Sequence, residues 1–253
     1  MLTKETRIKI PDDIDNLYFC GDIHANLDYI KYFIKTGVGF KNKISNSCII
    51  LCGDVGLGFA PKLEEQKLSE LKKICEKPNC IIMCCRGNHD SFLAFQNPKY
   101  KSGRVITLSD YDIIEFKNKR ILTIGGGTSI DRLYRKQNGW GYWEDEKIAY
   151  LDDFSQFQNI QIICSHCAPT CAYPYGFDNP IVKQFCKDDL TLMDELIYER
   201  DYLQRLYNEL SKTNTIEDWY YGHYHQNMFQ TINNTRFHLL GINNIVQYVN
   251  SEM

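Results

Sequence analysis

The chain has 253 residues and a formal net charge of −3, with 43% hydrophobic and 24% charged residues. This is ordinary globular composition, and the chain is long enough to bury a substantial core in one large domain or two small ones. The charge gives no reason to expect nonspecific binding to nucleic acid or to an anionic membrane. No apolar run approaches the roughly 20 residues of a membrane span, and the polar first residues are not expected to form a signal peptide.

Eleven cysteines, an odd number, are spread through the chain, many of them inside apolar runs. A secreted disulfide framework is therefore not expected. Cys164 and Cys167 form a Cys-x-x-Cys pair, for which a zinc or redox site is the minor alternative, because no second pair at zinc-finger spacing accompanies it. Buried thiols in a reducing cytoplasm are the expected interpretation.

Strand-like and helix-like patterns alternate in the first part of the chain. Apolar runs at 16–20, 48–52 and 80–84 predict three short strands. Apolar residues at helical spacing follow the first run, and Pro61 is expected to open a helix after the second. Ser91 is placed to cap a helix after the third run. This alternation predicts an α/β domain with a largely buried sheet.

The rest of the chain is richer in strand patterns. A loop that opens with three glycines near 125–143 is the candidate substrate-recognition element, and a helical excursion is expected near 170–212, with its longest helix at about 189–211. We treat residues 1–253 as a single domain. Further strands are predicted at 104–108, 112–116, 120–124, 161–164, 228–232, 235–240 and 244–249.

Side chains that bind metals cluster in the turns after these strands. Five of the six histidines lie in such turns, and His238 is the exception. Single histidines are usually structural, but ligand sites assemble where the carboxyl ends of strands meet, so this clustering predicts a metal site. Taken alone, each turn could be an ordinary polar turn. The turns are Asp22-x-His24, Gly53-Asp54, Gly87-Asn88-His89-Asp90, Ser165-His166 and Gly222-His223-x-His225.

The predicted ligands are imidazoles, carboxylates and an amide carbonyl, without an obvious thiolate. This set suits Mn, Fe, Zn, Co or Ni better than copper(I) or an iron–sulfur cluster, and it does not select one of them. Seven candidate ligands are too many for one tetrahedral ion and suit two. Two ions about 3.5–4 Å apart can share a carboxylate and a hydroxide, lower the pKa of that water, and hold a phosphoryl group for in-line displacement.

In this order, the five motifs resemble those of the calcineurin-like metallophosphoesterase family across residues 21–225. The resemblance implies a two-sheet β-sandwich flanked by helices, with two divalent or trivalent ions at one edge, manganese favoured. It also implies that His89 protonates the leaving-group oxygen and that Asp90 orients His89. By the same resemblance, one ion is held by Asp22, His24 and His225, the other by Asn88, His166 and His223, and Asp54 bridges them.

Two positions depart from the family pattern. Many members carry a second Asp three residues after the bridging one, where this chain has Leu57, so the support of the site beyond its ligands is in question. Arg86 resembles the phosphate-binding arginine of the phosphoprotein-phosphatase branch, but that branch's next arginine is replaced here by Gly58. Arg86 therefore favours phosphate monoesters slightly, and a surface charge is the alternative interpretation.

The loop near 125–143 offers further substrate contacts. Arg132 and Arg135 are predicted to bind phosphate oxygens, and Trp140 or Trp143 to stack on a base or an aromatic leaving group. The alternative is that the arginines pair with Asp131 and that the tryptophans pack on the core.

The sequence thus predicts a cytoplasmic phosphoesterase that acts on phosphate monoesters, phosphoproteins among them, with a metal-bridging hydroxide as nucleophile. A phosphodiesterase acting on nucleotides or nucleic acid is the first alternative. A binding protein that has kept the fold but lost catalysis is the second, and it is disfavoured because the candidate ligands and His89 are all present. The phosphate ester is the expected partner, and the sequence gives no oligomeric state.

Overall fold

The computed structural model describes residues 6–40, 43–175 and 179–250, and every structural statement below concerns those ranges. Short 3₁₀ helices are found at Pro98–Tyr100 and Thr170–Ala172. The described strands are β1 (Arg7–Lys9), β2 (Asn16–Cys20), β3 (Ser47–Leu51), β4 (Cys80–Cys84), β5 (Val105–Thr107), β6 (Ile113–Phe116), β7 (Lys119–Ile124), β8 (Ile162–Ser165), β9 (Asp218–Tyr221), β10 (Met228–Ile232), β11 (Thr235–Leu239) and β12 (Ile245–Gln247). The described α-helices are α1 (Leu27–Thr36), α2 (Pro61–Glu76), α3 (Phe92–Phe95), α4 (Arg132–Asn138), α5 (Pro180–Phe185) and α6 (Leu192–Leu210).

The strands form two mixed sheets. The five-stranded sheet has the order β12-β2-β3-β4-β5, in which β2 to β5 are parallel and β12 is antiparallel to β2. The seven-stranded sheet has the order β1-β6-β7-β8-β9-β11-β10, and β7, β8, β9 and β11 are parallel. Register brings Cys20, Leu51 and Cys84 side by side at the carboxyl ends of β2, β3 and β4.

The two sheets pack face to face, with helices on both outer sides. Phe19, Ile50 and Met83 of one sheet meet residues such as Ile162 and Tyr220 of the other, and the rings of Phe19 and Tyr220 stack at 3.8 Å. Helices α1 and α2 cover the outer face of the five-stranded sheet, and α6 covers that of the seven-stranded sheet. The predicted β-sandwich flanked by helices is therefore confirmed.

The predicted strands agree with the observed ones to within about two residues at each end. Three elements were not predicted. Strand β1 has only three residues, too few for a periodic pattern, and α4 is a short, mostly polar helix inside the loop near 125–143. Strand β9 is a four-residue run directly before the last motif turn and was not predicted as a strand. The helical excursion near 170–212 contains α5 and α6.

Within the described ranges, the structure contains no helix with the length and apolar character needed to cross a bilayer. All eleven cysteines are described as free thiols, and nine of them are buried. Cys164 lies in the core between the sheets, whereas Cys167 lies in the core beneath α6. The two cysteines of the Cys-x-x-Cys pair therefore lie in different cores, which does not support a shared metal or redox site.

Candidate active site

The five motif turns meet at one edge of the sandwich. Strands β2, β3 and β4 are neighbours in one sheet, and β8 and β9 are neighbours in the other. Since neighbouring parallel strands end side by side, the turns that follow them are brought together. The seven candidate ligands in these turns are Asp22, His24, Asp54, Asn88, His166, His223 and His225.

One group of candidate ligands lies at the open side of this edge. The Nε2 atoms of His24 and His225 are 2.9 Å apart. An oxygen of Asp22 lies 3.2 Å from Nε2 of His225, and an oxygen of Asp54 lies 3.8 Å from Nδ1 of His24. One donor atom from each of the four residues falls within 4.8 Å of the others. Nitrogen and oxygen donors this close together are arranged as they would be around a cation.

The second group lies deeper. Nε2 of His166 is 2.7 Å from Oδ1 of Asn88, and Nδ1 of His223 is 3.1 Å from the same oxygen. Nδ1 of His166 donates to the carbonyl of Cys52 at 2.9 Å, so in the neutral imidazole Nε2 carries a lone pair. That lone pair faces the Asn88 carbonyl oxygen, and two acceptors in contact are the arrangement that a bound cation would stabilise.

Asp54 lies between the two groups. Its Oδ1 accepts the backbone N–H of His89 at 2.9 Å and lies 3.4 Å from Nε2 of His166. Its Oδ2 is buried and has no hydrogen-bond partner among the described residues. Burial and the nearby charge of Asp22 raise the pKa of Asp54 well above its usual value. A buried, unsatisfied carboxylate oxygen costs free energy unless a cation binds it, so Asp54 fits the bridging position.

Metal binding requires neutral imidazoles and ionised carboxylates, and the pKa shifts of His24, His223 and Asp22 suit it, whereas that of His225 does not. Burial lowers the pKa of His24, and burial together with His166 lowers that of His223 to about 3. The hydrogen bond with Asp22 raises the pKa of His225. For Asp22, burial acts to raise the pKa, but the hydrogen bond with His225 and the nearby imidazoles outweigh it and lower the pKa to about 2.

The backbone at the site is unusual. Four candidate ligands have left-handed φ angles: His24 at 42°, Asp54 at 48°, His223 at 69° and His225 at 54°. Non-glycine residues adopt this conformation rarely, and such residues concentrate at functional sites. The motif turns also approach each other closely, since a Cβ atom at Gly87 would lie 2.1 Å from Oδ1 of Asp54. Only glycine fits this position without displacing the candidate bridging ligand.

Comparison with known proteins agrees with this geometry. The sequence model of the family described as calcineurin-like phosphoesterase matches residues 16–227. The chain belongs to the calcineurin-like phosphoesterase family. Membership supports phosphoester hydrolysis over the interpretation as a binding protein without activity. No curated protein sequence matches the chain significantly.

Two solved structures that are similar to this calcineurin-like phosphoesterase have little sequence identity with it. A phosphopantetheinyl hydrolase from Mycobacterium tuberculosis is similar with a TM-score of 0.50 and 11% identity, covering 96% of this chain and 98% of the other. A dimetal phosphatase from Danio rerio has a TM-score of 0.48 and 13% identity, covering 92% of this chain and 89% of its own. The first of these likenesses shows the fold alone.

In this calcineurin-like phosphoesterase, a buried chain of hydrogen bonds fixes the orientation of Asn88. The side-chain amide of Asn88 donates to Oγ of Ser129 at 2.7 Å. The hydroxyl of Ser129 donates to Glu146 at 2.7 Å, and its backbone N–H donates to the other oxygen of the same carboxylate at 3.0 Å. Burial raises the pKa of Glu146 to about 7. Sequence analysis missed Glu146, because no spacing signal marks a residue that reaches the site only through folding.

The position of Asp90 differs from the expectation that it orients His89. Its carboxylate accepts four backbone N–H groups at 2.6–3.1 Å, from Val55, Gly56, Leu57 and Gly87. Asp90 thus ties the turn after β3 to the turn after β4. Leu57 stands where many family members have a second Asp. Here Asp90 binds the backbone N–H of Leu57, and the Leu57 side chain packs in the core beneath α1 and α2.

Arg86 lies apart from the candidate ligands, in contrast to the expected phosphate contact. Its guanidinium donates to the backbone carbonyls of Asp145, Glu146 and Lys147 and to the carboxylate of Asp110. The side chain is 2% exposed. Arg86 is therefore placed to hold the segment that carries Glu146, and neither a phosphate contact nor the alternative of a surface charge describes its position.

Arg132 also differs from its predicted role. Its guanidinium makes two contacts with Asp189, at 2.6 and 3.1 Å, one with Glu195 at 2.5 Å and one with Thr191 at 2.9 Å. These partners lie at the start of α6 and just before it, so Arg132 joins α4 to α6. Arg132 therefore forms a structural ion pair, as in the alternative interpretation, but with Asp189 and Glu195 in place of Asp131.

Arg135, in contrast, reaches the candidate catalytic residue. Its guanidinium nitrogens lie 2.6 and 2.7 Å from the two ring nitrogens of His89, and its Nε donates to Asp131 at 2.9 Å. Since a neutral imidazole has one N–H, only one of the two contacts can be a hydrogen bond from Arg135 to His89. Burial and this guanidinium lower the pKa of His89 to about 2. Both residues line a cavity of about 330 Å³ that contains Asp54, Asn88, His223 and His225.

Proposed function

We propose that this metal-dependent phosphoester hydrolase acts on phosphate monoesters. The observation that carries the site assignment is the unsatisfied Oδ2 of Asp54, buried between two groups of nitrogen and oxygen donors. We assign one ion to Asp22, His24 and His225, the other to Asn88, His166 and His223, and the bridge to Asp54. When bound, two such ions supply a water of lowered pKa as nucleophile and positive charge for the phosphoryl oxygens.

In this proposal, Arg135 binds the transferred phosphoryl group. It places a permanent positive charge beside His89, in the same cavity as the candidate ligands. A monoester dianion carries more charge than a diester, so a fixed cation next to the ions favours it. The sequence predicted phosphate contacts for Arg86, Arg132 and Arg135, and in this proposal only Arg135 makes one. The guanidinium of Arg86 is bound to backbone carbonyls elsewhere.

His89 is the proposed proton donor. A water that has released one proton to solvent adds to phosphorus as hydroxide, and the bond from phosphorus to the ester oxygen breaks. The departing oxygen takes a proton from His89 and leaves as an alcohol, and His89 regains a proton from solvent before the next turnover. In the ligand-free site the imidazole is neutral, because burial and Arg135 disfavour its cation. A phosphate anion bound beside it compensates that positive charge and favours the protonated form.

The test is metal analysis combined with a substrate screen. The metal-free protein is loaded in turn with Mn, Fe, Zn, Co or Ni and given p-nitrophenyl phosphate and bis(p-nitrophenyl) phosphate. We expect about two bound ions per chain, hydrolysis that depends on them and is highest with manganese, and a preference for the monoester. A protein that binds no metal, or whose hydrolysis is unchanged by a chelator, would refute the proposal.

The cavity also supports a second candidate, phosphodiester hydrolysis. Beyond the candidate ligands it continues along Tyr173, Tyr175 and Arg200, and the guanidinium of Arg200 lies 4.0 Å from the ring centre of Tyr173. A monoester has no second substituent to fill this space. Preferential hydrolysis of bis(p-nitrophenyl) phosphate in the same screen would favour this alternative.

A further inference from the structure

A second cavity, of about 510 Å³, adjoins the cleft that contains the candidate metal ligands. The two cavities share three lining residues, His89, Asp131 and Arg135. None of the seven candidate ligands, all within the described ranges, lines the second cavity. It therefore begins at His89 and extends away from the metal site.

The walls of this second cavity are aromatic. Phe59, Tyr134 and Trp140 line it, and the ring centres of Phe59 and Trp140 are 5.4 Å apart. Trp140 is 70% exposed and Tyr134 is 66% exposed. Large rings that leave their faces open to solvent beside a proton donor offer a surface on which another planar ring can stack.

The charges of the cavity point to an uncharged occupant. Its lining contains one cationic side chain, Arg135, and one anionic side chain, Asp131, and the two form an ion pair at 2.9 Å. The aromatic part therefore has no free charge to bind a second anionic group. Trp143 does not line this cavity: its indole N–H donates to the carbonyl of His89 at 3.3 Å, and its ring contacts Phe59 at 5.5 Å between ring centres.

We propose that this aromatic cavity binds the leaving group of the ester, an uncharged alcohol or phenol that carries a planar ring. This rests on the proposed function, because His89 as proton donor places the leaving oxygen at the mouth of the cavity. The ring is attached to that oxygen directly, as in an aryl ester, or through a sugar, as in a nucleotide. Trp140 supplies the stacking surface and Arg135 holds the phosphoryl group at the boundary between the two cavities.

The test compares esters with and without a ring in the metal-loaded protein. Trp140→Ala is expected to raise KM for p-nitrophenyl phosphate or adenosine 5′-monophosphate about tenfold, with little change in kcat, since stacking acts on binding. KM for glycerol 2-phosphate, which has no ring, should change much less. Trp140→Phe keeps a ring and should restore most of the affinity. Tyr32→Ala removes an exposed aromatic ring on α1, outside both cavities, and is the matched control.

Binding of the leaving groups alone separates this inference from the proposed function. Calorimetric titration with adenosine and p-nitrophenol, in a buffer acidic enough to keep p-nitrophenol uncharged, should show binding by the wild type and weaker binding by Trp140→Ala. If the wild type hydrolyses none of the esters but shows this dependence, phosphoester hydrolysis fails and the cavity assignment stands. If the affinity for only one of the two aromatic esters depends on Trp140, the inference stands, and the ring is attached to the leaving oxygen as it is in that ester. Two results for Trp140→Ala would overturn the inference. One is an equal rise in KM for all three esters, and the other is unchanged KM for both aromatic esters together with unchanged binding of both leaving groups.

Discussion

Ser129 accepts a hydrogen bond from the side-chain amide of Asn88, with 2.7 Å between Oγ and Nδ2. The hydroxyl can only accept here because its own proton is donated to Glu146. The amide nitrogen of Asn88 is therefore held on the side of Ser129, and its carbonyl oxygen faces His166 and His223. The direction of this chain of hydrogen bonds presents an oxygen, and not an N–H group, to the candidate metal site.

Ser129→Ala is expected to weaken binding of one ion about 10- to 100-fold, as losses of partners behind metal ligands commonly do. Glu146→Gln should act similarly. The side-chain oxygen of the glutamine must accept the backbone N–H of Ser129, which places the amide nitrogen against the Ser129 hydroxyl. An amide nitrogen cannot accept the hydroxyl proton, so the direction of the chain is lost. Competition with a chelator measures both affinities. Ser155→Ala, which removes a hydroxyl bonded to Asp153, is the control. Unchanged metal affinity in both variants would show that the chain does not orient Asn88.

Asp54→Asn is expected to lower turnover by several orders of magnitude, because stabilisation of the transition state by both ions depends on the bridge. The pKa of Asp54 is raised by burial and by Asp22, so its ionised form destabilises the metal-free fold at neutral pH. The metal-free variant should therefore melt at the same or a higher temperature than the metal-free wild type. Thermal unfolding with and without manganese, together with kcat, checks both effects. A variant within tenfold of wild-type turnover would contradict the bridging role.

Arg132→Ala is expected to affect stability and to leave kcat/KM nearly unchanged. Breaking this largely buried cluster should cost about 3 kcal/mol. Hydrogen bonds from Arg132 lower the pKa of Asp189. Burial acts to raise the pKa of Glu195, but hydrogen bonds from Arg132 and Lys147 outweigh it and lower this pKa to about 2. Carboxylates with lowered folded-state pKa values stabilise the fold above their unfolded pKa, and this is lost as the pH falls towards 2.

The difference in unfolding free energy between wild type and Arg132→Ala should thus be largest above about pH 5 and should decrease as the pH is lowered below that value. Urea unfolding at several pH values measures it. Lys212→Ala removes an exposed ion pair with Glu209 and should cost less than about 1 kcal/mol. A normal stability combined with lower kcat/KM on every active substrate would instead support the substrate contact predicted from the sequence.

Gly87→Ala is expected to impair metal binding, because the added Cβ would lie 2.1 Å from Oδ1 and 2.2 Å from the backbone nitrogen of Asp54. The backbone there is not left-handed, so the effect is steric. Gly103→Ala is the control for lost stability without a clash at the site: a Cβ would meet nothing within 4 Å, but the φ of 92° strains an alanine, so the fold should be less stable and the metal should be retained. Metal content after dialysis distinguishes the two variants. Full metal content in Gly87→Ala would show that the turns can separate.

Much of the fold was visible in the sequence for a physical reason. Strands buried on both faces are continuous apolar runs, so β2 and β4 were predicted with their observed bounds. The candidate ligands follow such runs directly, which made them visible as local motifs. The apolar runs predicted a buried sheet, but two sheets were expected only from the family resemblance, because an apolar run does not specify which strand it pairs with.

The sequence by itself determined which residues form the polar turns after the strands. Only the tertiary structure decided what the neighbouring side chains contact: Arg86 binds backbone carbonyls at 145–147, Arg132 binds Asp189 and Glu195, and Arg135 alone of the three reaches His89. These partners lie 46 to 63 positions away along the chain. The partner of a long charged side chain depends on which elements pack together, and that depends on the whole fold.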